Sequence, residues 1–263
     1  NGIEMPVFGL GTYQSGSSRE TQAIVAQALE IGYRHFDTAR FYGNERDIGK
    51  AIKNSGVPRE DIFVTTKLWN SDHGYNRALA AFEESLRDLG LDYVDLYLIH
   101  WPVQGHRNES WKALEEIQVE GKCRVIGVSN YTIAHMEELQ AISSVMPAVN
   151  QCEFSPFLYQ KDLLDFCRKN NIQFESYSPL TKGQILADSR LSSIAQAYSK
   201  SVAQILIRWT LQKEVVVIPK SSRKDRIREN AEVFDFEISH EDMDRLDALN
   251  ENFRVSWDPT AIP

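Results

Sequence analysis

A chain of 263 residues, 42% hydrophobic and 25% charged, has an ordinary globular composition. It is long enough to bury a full core in one large α/β domain or two medium ones. The net charge of −8 argues against a protein that neutralises duplex phosphates, and no apolar run approaches the ~18 residues of a membrane span.

Short β-rich runs alternate with amphipathic helical stretches from end to end. Strands are expected at 7–10, 34–37, 63–68, 94–100, 124–129, 148–151, 173–177 and 215–218. Helices are expected between and after them at 19–31, 45–55, 77–89, 110–120, 133–142, 161–170, 202–212 and 224–230, with one more at 240–250 after the last strand. Leu79, Phe82, Leu86 and Leu89 form a stripe at helical spacing. Ser17 with Glu20, and Ser201 with Gln204, read as capping boxes, and Gly32, Gly90 and Gly121 stand just past helix ends. The strands are continuous apolar runs rather than clean alternations, as in a parallel sheet covered by helices. Eight strand–helix units in one chain without a linker predict α/β architecture: a single-domain (β/α)₈ TIM barrel over 1–263 with an extra C-terminal helix. The Gly-x-Gly-x-x-Gly fingerprint of a doubly wound dinucleotide fold is missing after the first strand. Cys123, Cys152 and Cys167 lack both a disulfide framework and metal-ligand spacing, so no metal and a reducing, cytoplasmic setting are expected.

Polar residues stand where the apolar strands stop, and in a barrel the C-terminal strand ends carry the chemistry. The second strand ends in Asp37, followed on the loop by Tyr42, and the third ends at Lys67, Leu68 and Trp69. The fourth ends at His100 and Trp101, the fifth at Ser129 and Asn130, the sixth at Gln151, and the seventh at Tyr177, Ser178 and Pro179. Singly, each has a structural reading: Asp37 and Lys67 an ion pair, His100 a core histidine, Tyr42 packing, Trp69 and Trp101 rim filler. Jointly, Asp, Tyr, Lys and His form a proton-transfer unit. A phenol of pKa ~10 is a poor acid at neutral pH, and a close ammonium is expected to lower that value.

The last strand runs through Ile218 and Pro219 into a basic segment. Five of the nine residues from Lys220 to Arg228 are cationic in an otherwise acidic chain. A solvated helix face is the plain reading. Its position after strand eight, ahead of a helix N-terminus, favours a phosphate site built from Lys220, Ser221 and Arg226.

These residues are arranged as in the aldo-keto reductase family. Gly32-Tyr33-Arg34-His35-Phe36-Asp37-Thr38-Ala39, continuing to Tyr42-Gly43-Asn44-Glu45, resembles its first signature, and Gly127-Val128-Ser129-Asn130-Tyr131 its second. Ile218-Pro219-Lys220-Ser221, with Arg226, Glu229 and Asn230, resembles the third. The matches span nearly the whole chain in order and are specific for that reason. The resemblance implies a barrel that binds NADP(H), with Tyr42 as general acid, Lys67 and Asp37 tuning it, and His100 orienting a small carbonyl substrate. It implies that Ser129, Asn130 and Gln151 bond the nicotinamide carboxamide and that Tyr177 stacks on the ring. Ser178, Pro179, Leu180, Ile218, Pro219 and Ser222 flank the cofactor. Lys220, Ser221 and Arg226 take the 2′-phosphate, and Glu229 and Asn230 approach the adenine. Gly11, Thr12 and Tyr13 lie near the nicotinamide, and Tyr13, Tyr42, Trp69, His100 and Trp101 wall the substrate pocket. Phe36 and Ser155 depart from the commoner residues, and Thr181-Lys182-Gly183 interrupts the usual run after strand seven. With a short loop after strand four and 13 residues after Asn250, a shallow, open pocket is expected, in a monomer. Two rivals use the same residues: a Schiff-base aldolase on Lys67, and a non-catalytic subunit that binds NADPH as a regulatory ligand.

Overall fold

The computed structural model describes residues 2–263. Its strands are β1 (Leu10–Gly11), β2 (His35–Asp37), β3 (Phe63–Leu68), β4 (Val94–Ile99), β5 (Cys123–Ser129), β6 (Val149–Glu153), β7 (Gln173–Tyr177) and β8 (Val216–Val217), all parallel and paired in chain order. The Phe8–Val217 bridge joins the last strand to the first, with Gly9 N–H donating to the Val217 carbonyl at 2.9 Å. The sheet is thereby a closed (β/α)₈ barrel, as the strand–helix alternation predicts.

Among the described residues, ten helices cover it: α1 (Ser18–Ile31), α2 (Glu45–Asn54), α3 (Tyr75–Leu89), α4 (Arg107–Val119), α5 (Ile133–Gln140), α6 (Lys161–Lys169), α7 (Ser189–Ala197), α8 (Val202–Gln212), α9 (Lys224–Ala231) and α10 (His240–Asp247). The local signals act as expected. Glu20 accepts both the backbone N–H and the hydroxyl of Ser17, and Ser201 and Gln204 cap each other reciprocally. Gly32 and Gly90 close α1 and α3 in the left-handed region. Only α7 has no counterpart in the expected elements, although Asp188 caps it and Leu191, Ile194 and Ala195 bury one face. β1 and β8, which meet at the closing seam, are shorter than expected, and the pairing between them is the single Phe8–Val217 bridge.

Outward-facing strand residues such as Phe36, Val64, Tyr97, Ile126 and Val128 are buried against the helices. Inside, the bottom of the barrel is apolar: Phe63, Leu96, Leu98, Val125 and Val149 pack together under Ile3 and Met5. Above that plug the interior turns polar. Asp37 on β2 and Gln151 on β6 are not neighbours in the sheet, so their 2.8 Å hydrogen bond crosses the barrel. The polar layer opens upward onto the C-terminal strand ends.

Candidate active site

Lys67 is fully buried, and its ammonium nitrogen donates to three oxygens: Asp37 Oδ1 at 2.6 Å, the Thr38 carbonyl at 2.8 Å and Tyr42 Oη at 3.4 Å. β3 supplies Lys67 and its neighbour β2 supplies Asp37, while a short 3₁₀ turn over Arg40–Tyr42 brings the phenol back over the pair. Gly43 ends that turn at φ 65°, a conformation that suits glycine. The His100 ring lies edge-on to Tyr42, with centroids 5.6 Å apart, and to Trp69 at 5.1 Å. All four predicted catalytic residues therefore meet at one point.

The electrostatics differ from the simple expectation for the phenol. Burial and the Asp37 carboxylate push the Tyr42 hydroxyl well above its ordinary value instead of lowering it. Asp37 sits against the ammonium and cancels most of its field, leaving desolvation to dominate. Tyr42 thus stays protonated and available as a donor. Burial holds His100 well below the usual imidazole range, with the Lys67 charge adding to the effect. A neutral ring retains one N–H to offer, and its Nδ1 is buried without a partner among the described residues.

Gln151 gives both amide hydrogens to carboxyl oxygens, one to Asp37 Oδ2 and one to Glu175 Oε2, each at 2.8 Å. That orientation is forced, since the reverse would set its carbonyl against the Asp37 carboxylate. Ser129 donates to the Gln151 backbone carbonyl, and Asn130 donates to the His100 carbonyl and to Ser129 Oγ. Tyr177 donates to Asn130 Oδ1 at 2.7 Å. What Ser129, Asn130 and Gln151 retain is accepting capacity, which suits the N–H₂ of a carboxamide. Binding its oxygen requires one Asn130 N–H to leave its present partner.

A groove and cavity of about 1110 Å³ lies over this layer. It is lined by Gly11, Thr12, Tyr13, Trp69, Trp101, Ser178, Pro179 and Leu180, and continues past Ile218, Lys220, Ser221 and Ser222 to Arg226, Glu229 and Asn230. Pro219 and Lys67 are the predicted site residues that do not line it. At Gly11 a Cβ would stand 2.9 Å from the Ile218 carbonyl oxygen, so only glycine keeps this edge narrow. The basic segment divides in two. Arg223 pairs with Asp225 and Lys224 with Glu30, whereas Lys220 and Arg226 line the cavity with no carboxylate partner among the described residues. Unpaired cations at one end, carboxamide acceptors at the other and a long groove between them fit an extended, phosphorylated dinucleotide.

The chain after α10 adds a wall to the pocket that the expectation from tail length did not include. Glu153 accepts the backbone N–H groups of Val255 and Ser256 at 2.7 and 3.0 Å, and Lys182 donates to the Val255 carbonyl at 2.6 Å. This folds the tail over the mouth and sets Trp257 5.5 Å from Trp101 and 6.3 Å from Trp69, ring to ring. Short as it is, the tail makes a wall from Arg254 to Trp257. Phe41, stacked at 3.8 Å on Trp69, is a second wall residue that sequence reasoning missed. Glu175 was missed too, and its signal was an acid in the middle of a strand that otherwise reads as buried.

The model of the aldo/keto reductase family matches residues 7–251. The chain belongs to the aldo/keto reductase family. It is 51% identical over 262 residues to the glyoxal reductase of Bacillus subtilis, covering 100% of this chain and 95% of that protein. Among solved structures, it resembles an aldo-keto reductase enzyme from a Medee basin deep-sea metagenome library, at 45% identity and a TM-score of 0.96 over 99% of this chain and 97% of that one. It also resembles the Bombyx mori aldo-keto reductase in complex with NADP, at 37% identity and a TM-score of 0.91 over 97% and 92% of the two chains.

Proposed function

We propose that residues 1–263 form a single-domain, monomeric, cytoplasmic oxidoreductase of the carbonyl/alcohol couple, which uses NADPH to reduce small aldehydes, ketones or dicarbonyls to alcohols. The observation that carries this reading is the Lys67 ammonium held between Asp37 and Tyr42 beneath the cavity. Lys220, Ser221 and Arg226 would hold the 2′-phosphate, Glu229 and Asn230 would flank the adenine, and Ser129, Asn130 and Gln151 would take the carboxamide, with Tyr177 beside them. NADPH, when bound, supplies the hydride. The protein supplies the proton and the position. Tyr42 Oη protonates the carbonyl oxygen as it becomes an alkoxide, and Lys67 stabilises the phenolate left behind. Neutral His100 donates to the same oxygen and orients the carbonyl. Tyr13, Phe41, Trp69, Trp101 and Trp257 give the pocket aromatic walls that favour small substrates with an apolar face.

The aldolase reading loses support from the burial of Lys67, whose three N–H groups are already engaged below Tyr42. A purely regulatory subunit has no need of a complete acid–base set. The likeness to a glyoxal reductase supports dicarbonyls as the first substrates to try. The test is NADPH oxidation, followed by absorbance, with methylglyoxal, glyoxal, simple aldehydes and sugars, and with NADH in parallel. Carbonyl-dependent oxidation with a preference for NADPH is expected. No oxidation with any carbonyl would refute the reading.

A further inference from the structure

The mechanism above leaves the buried acid Glu175 unused. Glu175 lies on β7 inside the barrel, fully buried, with Oε2 bonded to Gln151 and Oε1 lacking any hydrogen-bond partner among the described residues. Its register partner on β6 is Gln151 itself, and on β8 it is the uncharged Val216. From across the barrel β2 presents Asp37, on the other hydrogen of the same Gln151 amide, and His35, whose Nε2 stands 3.6 Å from Oε1. β3 presents Lys67, joined to Asp37, and Thr65, joined to His35. Tyr42 and His100 lie above, and Tyr177 ends the same strand.

Charge counting over this group is informative. Lys67 is matched by Asp37 at 2.6 Å, and burial strips His35 of its proton, pushing it down to about 3. No cation remains for a second carboxylate. Burial first and the Asp37 charge second raise Glu175 to about 8, so at neutral pH it holds a proton and the layer is neutral.

We propose that Glu175 is a positioning residue that links its own proton to the charge of the nicotinamide: ionised, it favours the cationic oxidised ring through Gln151, and protonated, it leaves the oxidised and reduced forms more evenly held. The inference rests on the proposed reading, in which Gln151 takes the carboxamide. The oxidised ring carries a positive charge that the reduced ring lacks, while the phosphates of the two forms are alike. A carboxylate one amide away, in a dry interior, therefore discriminates between them. Linkage makes the effect reciprocal, so binding of the oxidised form at neutral pH releases a proton. A protonated Glu175 also lets the oxidised product leave more readily after turnover.

The experiment measures Kd for NADP⁺ and for NADPH by quenching of tryptophan fluorescence at pH 6.5 and pH 9, in the wild type and in Glu175→Gln. The ratio of the two constants cancels every titration on the shared phosphates. In the wild type the ratio Kd(NADP⁺)/Kd(NADPH) is expected to fall about 5-fold or more between the two pH values. In Glu175→Gln it should change less than about 2-fold over the same range. A wild-type ratio that moves less than about 2-fold overturns the inference, and so does an equal fall in the variant. The wild-type arm decides alone if the variant does not fold. Failure of both cofactors to bind the wild type would instead remove the reductase reading beneath it.

Discussion

The contact between Lys67 and Tyr42 links two demands that are usually treated separately. Lys67 is a buried charge, tolerable only because Asp37 neutralises it. With the ammonium so paired, burial first and the Asp37 charge second leave the phenol raised rather than lowered, so that Tyr42 stays protonated. Replacing Lys67 by Met leaves Asp37 buried without its partner, and the stability measured by urea unfolding is expected to fall by about 3–5 kcal/mol. Adding Asp37→Asn removes the orphaned charge and should restore most of that loss. A double variant no more stable than Lys67→Met would mean the pair is not coupled. The convergence of Asp37, Tyr42 and Lys67, and of Ser129, Asn130 and Gln151, was legible in the sequence, because polar residues at strand ends interrupt apolar runs. Glu175 was not, because only the barrel's curvature brings β7 opposite β2 and gives Gln151 two carboxyl partners.

The helices and the tail differ in how far sequence exposes them. Long stripes and paired caps marked α1, α3 and α8, whereas the short α7 was hidden among serines. The tail carried no periodicity at all, and its fold depends on Glu153, a residue about a hundred positions earlier in the chain. Close helix packing was also silent. At Gly49 in α2 a Cβ would sit 1.8 Å from the Leu89 carbonyl oxygen of α3, so Gly49→Ala must push the two helices apart. Overpacking of this kind costs about 1–3 kcal/mol, and the melting temperature should drop by several degrees. An unchanged melting temperature would show that α2 and α3 can separate freely. On α9, Arg226→Ala is expected to raise KM for NADPH about 10-fold and leave NADH nearly untouched, the size of one charge-assisted phosphate contact. Equal effects on both cofactors would place the 2′-phosphate elsewhere.

For the molecule as a whole, the acidic net charge hides a local division of labour. The body carries the acidic excess, and Lys220 and Arg226 stand at the far end of the groove without a carboxylate partner among the described residues. The buried titratable groups fix the direction of its acid and base sensitivity. Burial lowers His35 to about 3 and His73 to about 4, so the unfolded chain binds more protons below about pH 6.5 and stability declines as pH falls. Glu175 is raised to about 8, so the folded chain binds the extra proton. Its contribution is complete below about pH 4.5 and is lost as pH rises through about 8. Unfolding by denaturant should accordingly show greatest stability between about pH 5 and 7, with a gentler alkaline decline in Glu175→Gln. Stability that climbs steadily from pH 5 to 9 would contradict this assignment of protons. The central proposal is that Tyr42 is the acid of an NADPH-dependent carbonyl reduction. Its most direct test is the Tyr42→Phe enzyme, which keeps the ring and loses only the hydroxyl. Carbonyl-dependent kcat should fall by about 10²–10⁴-fold while the Kd for NADPH stays within about 2-fold. A kcat equal to that of the wild type would contradict the account.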